Sequence, residues 1–321
     1  EVFHLDIDLK TNKQNDKSPL IIRPKTIELK DVESKASLSK NESIYSALKL
    51  GLKDYVRKNK FTKVLIGISG GIDSALTAAI CVDALGAENV IGVAMPSKYN
   101  SKDSLDDAIK LSDNLGIDLK IIEIEKLVDD YRETLTNALN DELGQITDEN
   151  IQSRVRGNIL MGLSNQTGAM VVSTGNKSEM AVGYSTLYGD LAGGFALIKD
   201  LYKTKVYELS NYINSISDAI PQNIITKEPS AELRPNQFDS DSLPDYEVLD
   251  KILNLYIEED SSSEKIIASG VNPDLVFDVL EKVDRNEYKR KQVAPGVKLT
   301  QKAFGKDRRM PITNTYIRQK E

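Results

Sequence analysis

Three short stretches concentrate side chains suited to charged ligands. The first is Ser69-Gly70-Gly71-Ile72-Asp73-Ser74, which follows the apolar run Val64-Leu65-Ile66-Gly67-Ile68 and leads into an Ala-rich run over 75–81. A strand, a Gly-rich turn and a helix start make an anion site, because the first helical N–H groups lack intrahelical partners. Gly70 and Gly71 carry no Cβ, so a phosphate can approach the backbone closely, and Ser69 and Ser74 are expected to donate hydroxyl hydrogen bonds to its oxygens. No Lys completes a GxxxxGK[ST] loop, and the spacing is not GxGxxG. Asp73 beside a polyphosphate would be repelled unless a divalent cation bridged the two. Mg²⁺ prefers carboxylate plus phosphate oxygens, so Asp73 is the first metal-ligand candidate. The plainer alternative is a strand-to-helix turn in which Asp73 or Ser74 caps a helix.

The second stretch is Asn150-x-x-x-Arg154-x-Arg156, inside a predicted helix. Asn150 and Arg154 lie one turn apart on one face and Arg156 points elsewhere; a solvated helix face is the alternative. The third is Ser173-Thr174-Gly175-Asn176-Lys177-Ser178-Glu179, after a predicted strand. Thr174 would face the ligand crevice there, and Glu179 would give the metal a second carboxylate. The alternative for Glu179 is an acid that complements a helix N-terminus.

The elements that must position these residues alternate. A helix is predicted over 42–58, with Ile44, Leu48, Leu52, Tyr55 and Val56 on one stripe. Strands follow at 64–68, 89–95, 118–124 and 169–173, the first two of them short apolar runs that read as buried. Helices are expected at 75–85, 102–115 (capped by Gly116), 125–142 and 148–167. The helix at 75–85 is of crossover length, so strands 64–68 and 89–95 should be parallel in a right-handed βαβ unit. The pattern implies an α/β fold, a doubly wound and mostly parallel sheet. Ligands bind such sheets outside the carboxyl ends of the strands, where the glycine loop and Thr174 fall.

Beyond Thr174 the chain is loop-rich, with four glycines in 183–194 and Pro229, Pro235 and Pro244 in an irregular stretch over 226–245. Helices are predicted near 203–214, 245–259, 262–269 and 273–291, followed by a basic tail. At the other end, residues 2–9 alternate like a half-buried strand and 10–18 read as a linker.

Composition narrows the function classes. The formal net charge is −7, against a general nucleic-acid binder. One cysteine, Cys81, excludes an intrachain disulfide or a CxxC motif, and its place in an apolar helix suggests a buried thiol. The single histidine, His4, leaves no His-based triad or multi-His metal site within the chain. No apolar run reaches the ~18 residues of a membrane span and no signal peptide is evident, so a cytoplasmic location and no membrane partner are expected. The chain opens with Glu1 rather than Met, as a fragment or processed product would.

SGGIDS resembles the pyrophosphate-binding loop of the N-type ATP pyrophosphatases, whose fold is adenine nucleotide alpha hydrolase-like. Six further blocks follow in order: VAMPS at 93–97, NxxxRxR, STGNKSE, GYSTLYGDLAGGFALIKDLYKTKVYEL at 183–209, KEPSAELRPNQ at 227–237 and RNEYKRKQVAPG at 285–296. Together, over roughly residues 42–315, they resemble the synthetase domain of NAD synthetases, particularly the glutamine-dependent type. The resemblance implies ATP and deamido-NAD as substrates and Mg²⁺ as the metal. The nicotinate carboxylate would attack the α-phosphorus of ATP, and ammonia would convert the acyl-adenylate to NAD and AMP.

Carried onto this sequence, the resemblance assigns Gly67, Ile68, Ser69, Gly70, Gly71, Ile72, Asp73, Ser74, Thr174, Lys203 and Ser230 to ATP. It assigns Asn150, Arg156, Glu179, Asp190, Phe195 and Lys289 to deamido-NAD. Asp73 and Glu179 would hold the metal, and with Lys203 they form the catalytic set. For Phe195 the choice lies between an aromatic wall for the pyridine ring and a plain core residue.

Family members assemble as dimers or larger homo-oligomers, and the same is expected here. Glutamine-dependent members also carry an N-terminal glutaminase domain. Residues 1–40 look like a possible remnant of it plus linker, residues 41–321 like the synthetase domain, and the chain as given would use free ammonia. Two rival readings are another N-type ATP pyrophosphatase, such as a GMP synthetase-like amidase or a tRNA-modifying adenylase, and a non-catalytic adenine-nucleotide-binding module.

Overall fold

The computed structural model describes residues 38–313; the strand expected at 2–9, His4 and the end of the basic tail lie outside them. The first element is α1 (Lys40–Lys58), closed by a capping box in which Ser39 and Glu42 satisfy each other's backbone N–H. Leu48, Leu52 and Val56 of its apolar stripe are buried. Then come β1 (Val64–Gly67), α2 (Ile72–Leu85), β2 (Val90–Ala94), α3 (Lys102–Leu115) and β3 (Asp118–Ile121). Gly116 ends α3 in the left-handed conformation, φ 65°. The chain continues through α4 (Glu125–Leu139), α5 (Gln145–Thr167) and β4 (Met170–Ser173).

All strands pair in parallel, in the order β3-β2-β1-β4-β5, where β5 is the short segment Phe195–Ala196. The chain winds outward through β1, β2 and β3, then returns to the other side of β1 with β4. That reversal opens a crevice at the carboxyl ends of β1 and β4, the usual ligand position in such sheets. One face of the sheet is covered by α1, α2 and α7 (Lys203–Ser217), whose core includes Leu52, Leu76, Ile80, Leu209 and Ile213. The other is covered by α4 and α5 through Val128, Ile151 and Val155. Cys81 is buried in the first of these layers, as its apolar context implied.

A third apolar cluster unites α6 (Lys177–Val182) with the C-terminal helices α9 (Tyr246–Leu253), α10 (Ser263–Ala268) and α11 (Pro273–Arg285). The short α8 (Gln222–Thr226) precedes α9, and α12 (Glu287–Arg290) follows α11.

Several boundaries differ from expectation. The helix after the glycine loop starts at Ile72 rather than 75, so Asp73 and Ser74 sit in its first turn. The helix expected over 245–259 is α-helical only to Leu253 and continues as a π-helical stretch, Asn254–Glu258. The one expected over 273–291 breaks at Asn286, whose side chain bonds Val182 O at 3.0 Å and Lys282 O at 2.8 Å. At Asn286 the long-range bond to Val182 O overrides a continuous local pattern. Among the described residues no helix is long and apolar enough to cross a membrane.

Candidate active site

The glycine loop joins β1 to α2 with a sharp turn. Gly70 has φ 80°, and a Cβ there would lie 2.2 Å from Ser104 O, so only glycine fits. Gly71 caps α2 without a side-chain bond, and the first intrahelical bond runs from Ala75 N to Gly71 O at 3.1 Å. The N–H groups of Ile72, Asp73 and Ser74 therefore lie ahead of the hydrogen-bonded ladder, at the positive end of the helix dipole.

Ser74 behaves differently from the expectation that it donates to a phosphate. Ser74 Oγ donates to Gly71 O at 2.9 Å and accepts from Ser69 N at 3.2 Å, while Ser69 Oγ accepts from Gly71 N at 3.2 Å. Ser74, almost fully buried, staples the loop into shape and leaves the backbone to face the ligand.

The three residues assigned to catalysis meet beside this loop. Asp73 comes from the first turn of α2, Glu179 from the first turn of α6 and Lys203 from the first residue of α7. Lys203 Nζ lies 2.5 Å from Asp73 Oδ2 and 3.0 Å from Glu179 Oε1. Asn176 caps α6 by accepting from Glu179 N at 3.0 Å and turns its amide to Asp73 Oδ1, also at 3.0 Å. The start of α7 is fixed from below. Lys203 N donates to Ser178 Oγ at 2.8 Å, Ser178 Oγ donates to Asp250, and Thr204 N donates to the same carboxylate at 2.9 Å.

Electrostatics separate the members. Burial pushes the Glu179 carboxyl up to about 7; the Asp73 and Asp239 charges add to the rise and Lys203 opposes it. Burial works against the Lys203 ammonium, yet Asp73 and Glu179 outweigh it and hold Lys203 above its ordinary range. Tyr246 OH donates to Asp239 Oδ2 at 2.7 Å and lies 3.3 Å from Glu179 Oε1, with its ring 5.1 Å from Lys203 Nζ. Three carboxylates, Asp73, Glu179 and Asp239, thus surround one ammonium.

This charged cluster opens into a cavity of about 500 Å³ lined by 67–74, Thr174, Ser230, Asn150, Arg156, Asp190 and Lys289. All the assigned residues but one line it. Arg156, rather than Arg154, turns inward: its Nε donates to Met95 O at 3.1 Å, whereas exposed Arg154 donates to Leu187 O at 3.2 Å. Burial lowers the Arg156 guanidinium to about 10, which leaves it charged at neutral pH. Asn150 Oδ1 accepts from Thr186 Oγ1 at 2.7 Å, and Asp190 accepts from Thr186 N at 2.6 Å. The Asp190 carboxyl is raised by its enclosure, against the Thr186 N–H and its other donors. Asp190 is also an exposed residue that opens to the cavity. Lys289 donates to Gly183 O at 2.6 Å and Ser185 O at 2.8 Å, and Ser230 Oγ to Gln237 O at 2.5 Å.

Phe195 is the exception. It lies on β5, 3% exposed, with its ring 4.5 Å from that of Tyr55 in the core, and it does not line the cavity. The assignment of Phe195 to the pyridine ring is therefore corrected to a core residue. Asn176, Tyr246, Asp239, Asn100 and Glu232 were not singled out from the sequence. Asn176 was legible in principle, as a helix-capping Asn three residues before Glu179; Tyr246 and Asp239 reach the site from a stretch with no local signature.

An open parallel α/β sheet with a Gly-rich loop and a helix N-terminus at its topological switch point defines a nucleotide-phosphate-binding protein of the doubly wound class. Within that class, residues 44–293 match the family model for NAD synthase, and the chain belongs to this family. It is 56% identical over 279 residues to the glutamine-dependent NAD(+) synthetase of Thermotoga maritima, covering 86% of this chain and 48% of that protein. The corresponding enzyme of Aquifex aeolicus is 54% identical, covering 86% and 49%. The chain thus spans about half the length of these curated relatives.

Among solved structures, glutamine-dependent NAD+ synthetase of Acinetobacter baumannii in complex with ADP is 47% identical with a TM-score of 0.60, covering 88% of this chain and 51% of that one. The NH3-dependent NAD synthetase of Campylobacter jejuni is 28% identical with a TM-score of 0.64, covering 79% and 96%.

Proposed function

We propose that this chain adenylates the nicotinate carboxylate of deamido-NAD with ATP and transfers the acyl group to ammonia, giving NAD, AMP and pyrophosphate. The observation that carries this reading is the convergence of Asp73, Glu179 and Lys203 under the glycine loop, in one cavity with the residues assigned to both substrates. The backbone of Gly70, Gly71 and the first turn of α2 faces the ATP phosphates, with Thr174 and Ser230 on the neighbouring walls. Lys203, a fixed cation on two carboxylates, offsets charge on the transferring phosphoryl group. Asn150, Arg156 and Lys289 hold the dinucleotide so that a nicotinate oxygen meets the α-phosphorus.

A P–O bond forms there as the bond to the β-phosphate breaks. Ammonia then attacks the acyl carbon, AMP leaves, and one proton is released, for which Asp190 and Glu179 are the available acceptors. No protein nucleophile takes part; positioning and charge neutralisation supply the rate.

Mg²⁺ fits the donor set. Asp73 and Glu179 would hold it, Glu179 Oε2 makes no hydrogen bond or ion pair to the protein among the described residues, and the carboxylate excess around Lys203 calls for a further cation. When bound, it would screen the phosphate charge and stabilise the pyrophosphate leaving group. The NH3-dependent relative, matched over nearly its whole length, supports ammonia as the nitrogen donor. A homodimer or larger homo-oligomer is part of this reading.

Incubation with ATP, deamido-NAD, Mg²⁺ and ammonium should form AMP and NAD in equal amounts. AMP without NAD, or neither, would overturn the assignment. Asp73→Asn should abolish turnover with the circular-dichroism spectrum unchanged; near-normal kcat at saturating Mg²⁺ would refute the metal role.

A further inference from the structure

Asn100 ends the loop after β2, next to the Ser101 cap of α3. Its side-chain amide is used at both ends. Oδ1 accepts from Arg156 Nη2 at 3.1 Å and from Ser97 N at 2.8 Å, and Nδ2 donates to Glu232 Oε2 at 2.7 Å. An amide suits this place because it offers an acceptor to the guanidinium and a donor to the carboxylate. Glu232 is gripped in turn by α3, its Oε1 accepting from Ser104 Oγ at 2.7 Å and from Ser101 Oγ at 3.0 Å. Its backbone has φ 48°, a left-handed conformation that a non-glycine residue keeps only when its surroundings hold it.

Two further contacts extend this chain to the nucleotide side. Glu232 N donates to Ser230 Oγ at 3.1 Å, and Ser104 O packs on Gly70 where any Cβ would clash. A hydrogen-bonded path therefore runs from Ser104, packed against Gly70, through Glu232 and Asn100 to Arg156.

We propose that Asn100 is a positioning residue that couples the two substrate subsites, transmitting the arrangement of 227–237 around ATP to the guanidinium of Arg156. This rests on the substrate assignments made above. ATP against the glycine loop and Ser230 fixes Glu232, and Glu232 fixes Asn100 Nδ2. Because the amide is planar, Oδ1 is then set against Arg156 Nη2, the second bond that orients the guanidinium beside the one from Nε to Met95 O. Nucleotide binding thereby presets Arg156 for the anionic dinucleotide, and linkage makes the effect reciprocal.

Isothermal titration of the full chain with deamido-NAD, with and without α,β-methylene-ATP and Mg²⁺, reads this coupling as a ratio of dissociation constants. In the unaltered chain the analogue should tighten deamido-NAD binding by about fivefold or more. Asn100→Leu, similar in volume, should bring the ratio to about one, with the affinity for the analogue alone changed less than about threefold. Glu232→Ala should erase the same ratio, and the double variant should lose no more than either single one, since both act through one bridge. A ratio absent from the unaltered chain, or retained in both variants, overturns the bridge and leaves the substrate reading standing. A chain that binds neither deamido-NAD nor the analogue overturns both.

Discussion

Two buried lysines, twenty-six positions apart, bridge carboxylate pairs with nearly the same geometry, and only one belongs to the site. Lys177 Nζ lies 3.0 Å from Asp200 Oδ1 and 2.5 Å from Glu258 Oε1, and donates to Thr300 Oγ1 at 2.6 Å and Lys302 O at 2.9 Å. The rings of Tyr202 and Phe304 close over it at 4.9 and 5.9 Å. Its side chain is 0% exposed, and its partners are 2% and 7% exposed. Lys203 is equally buried, but Asp73 and Glu179 retain 19% and 18% exposure, toward the cavity. What separates the two ion pairs is the free face that the carboxylates of Lys203 turn to the cavity. Lys177 instead pins residues 298–302 to α6, with Asp200 also accepting from Leu299 N at 2.7 Å and Thr300 N at 2.8 Å.

That contrast can be broken most directly by removing each ammonium. Lys177→Met leaves Asp200 and Glu258 buried without a counter-charge and should cost about 3–5 kcal/mol of stability, read by urea unfolding. Lys203→Met should lower kcat by about 10²–10³-fold with a smaller loss of stability, because cavity water can solvate Asp73 and Glu179. If the two variants exchange these behaviours, the assignment of sealed and open pairs is wrong.

A subtler difference lies in pH. Burial pushes the Glu179 carboxyl up to about 7 in the folded chain, above its ordinary value when unfolded, so the folded state holds the extra proton between the two. Stability should therefore fall as pH rises from about 4.5 to about 7. Metal-free thermal melting across that window should show the slope, and Glu179→Gln should flatten it; an unchanged slope would assign it to other groups.

The smallest effect tests the corrected residue. Phe195→Leu should cost about 1–2 kcal/mol through lost packing on Tyr55, and the KM for deamido-NAD should stay put. A tenfold rise in KM would return Phe195 to the substrate site.

Much of this was legible because it is local. The β-branched run before SGGIDS and the Gly116 stop are decided within a few residues, by dihedral preferences and helix-capping geometry. The motif blocks also indicated that Asp73, Glu179 and Lys203 act together. Other features could not be read this way. Ser74 had to be seen bonded to Gly71 O before its role changed from phosphate donor to loop staple. The break at Asn286 depends on a contact with a distant element.

By itself, then, the amino-acid order determined the alternation of strands and helices, the phosphate-facing loop and the chemistry of the three charged residues. Only the tertiary structure decided that Phe195 is core, that Lys177 is sealed on a second carboxylate pair, that Tyr246 and Asp239 reach Glu179, and that Asn100 joins Arg156 to Glu232. The physical reason is range. Backbone propensities and caps act over a turn or two, whereas burial, desolvation and ion pairing are set by partners more than a hundred residues away, as Asp73 and Lys203 are.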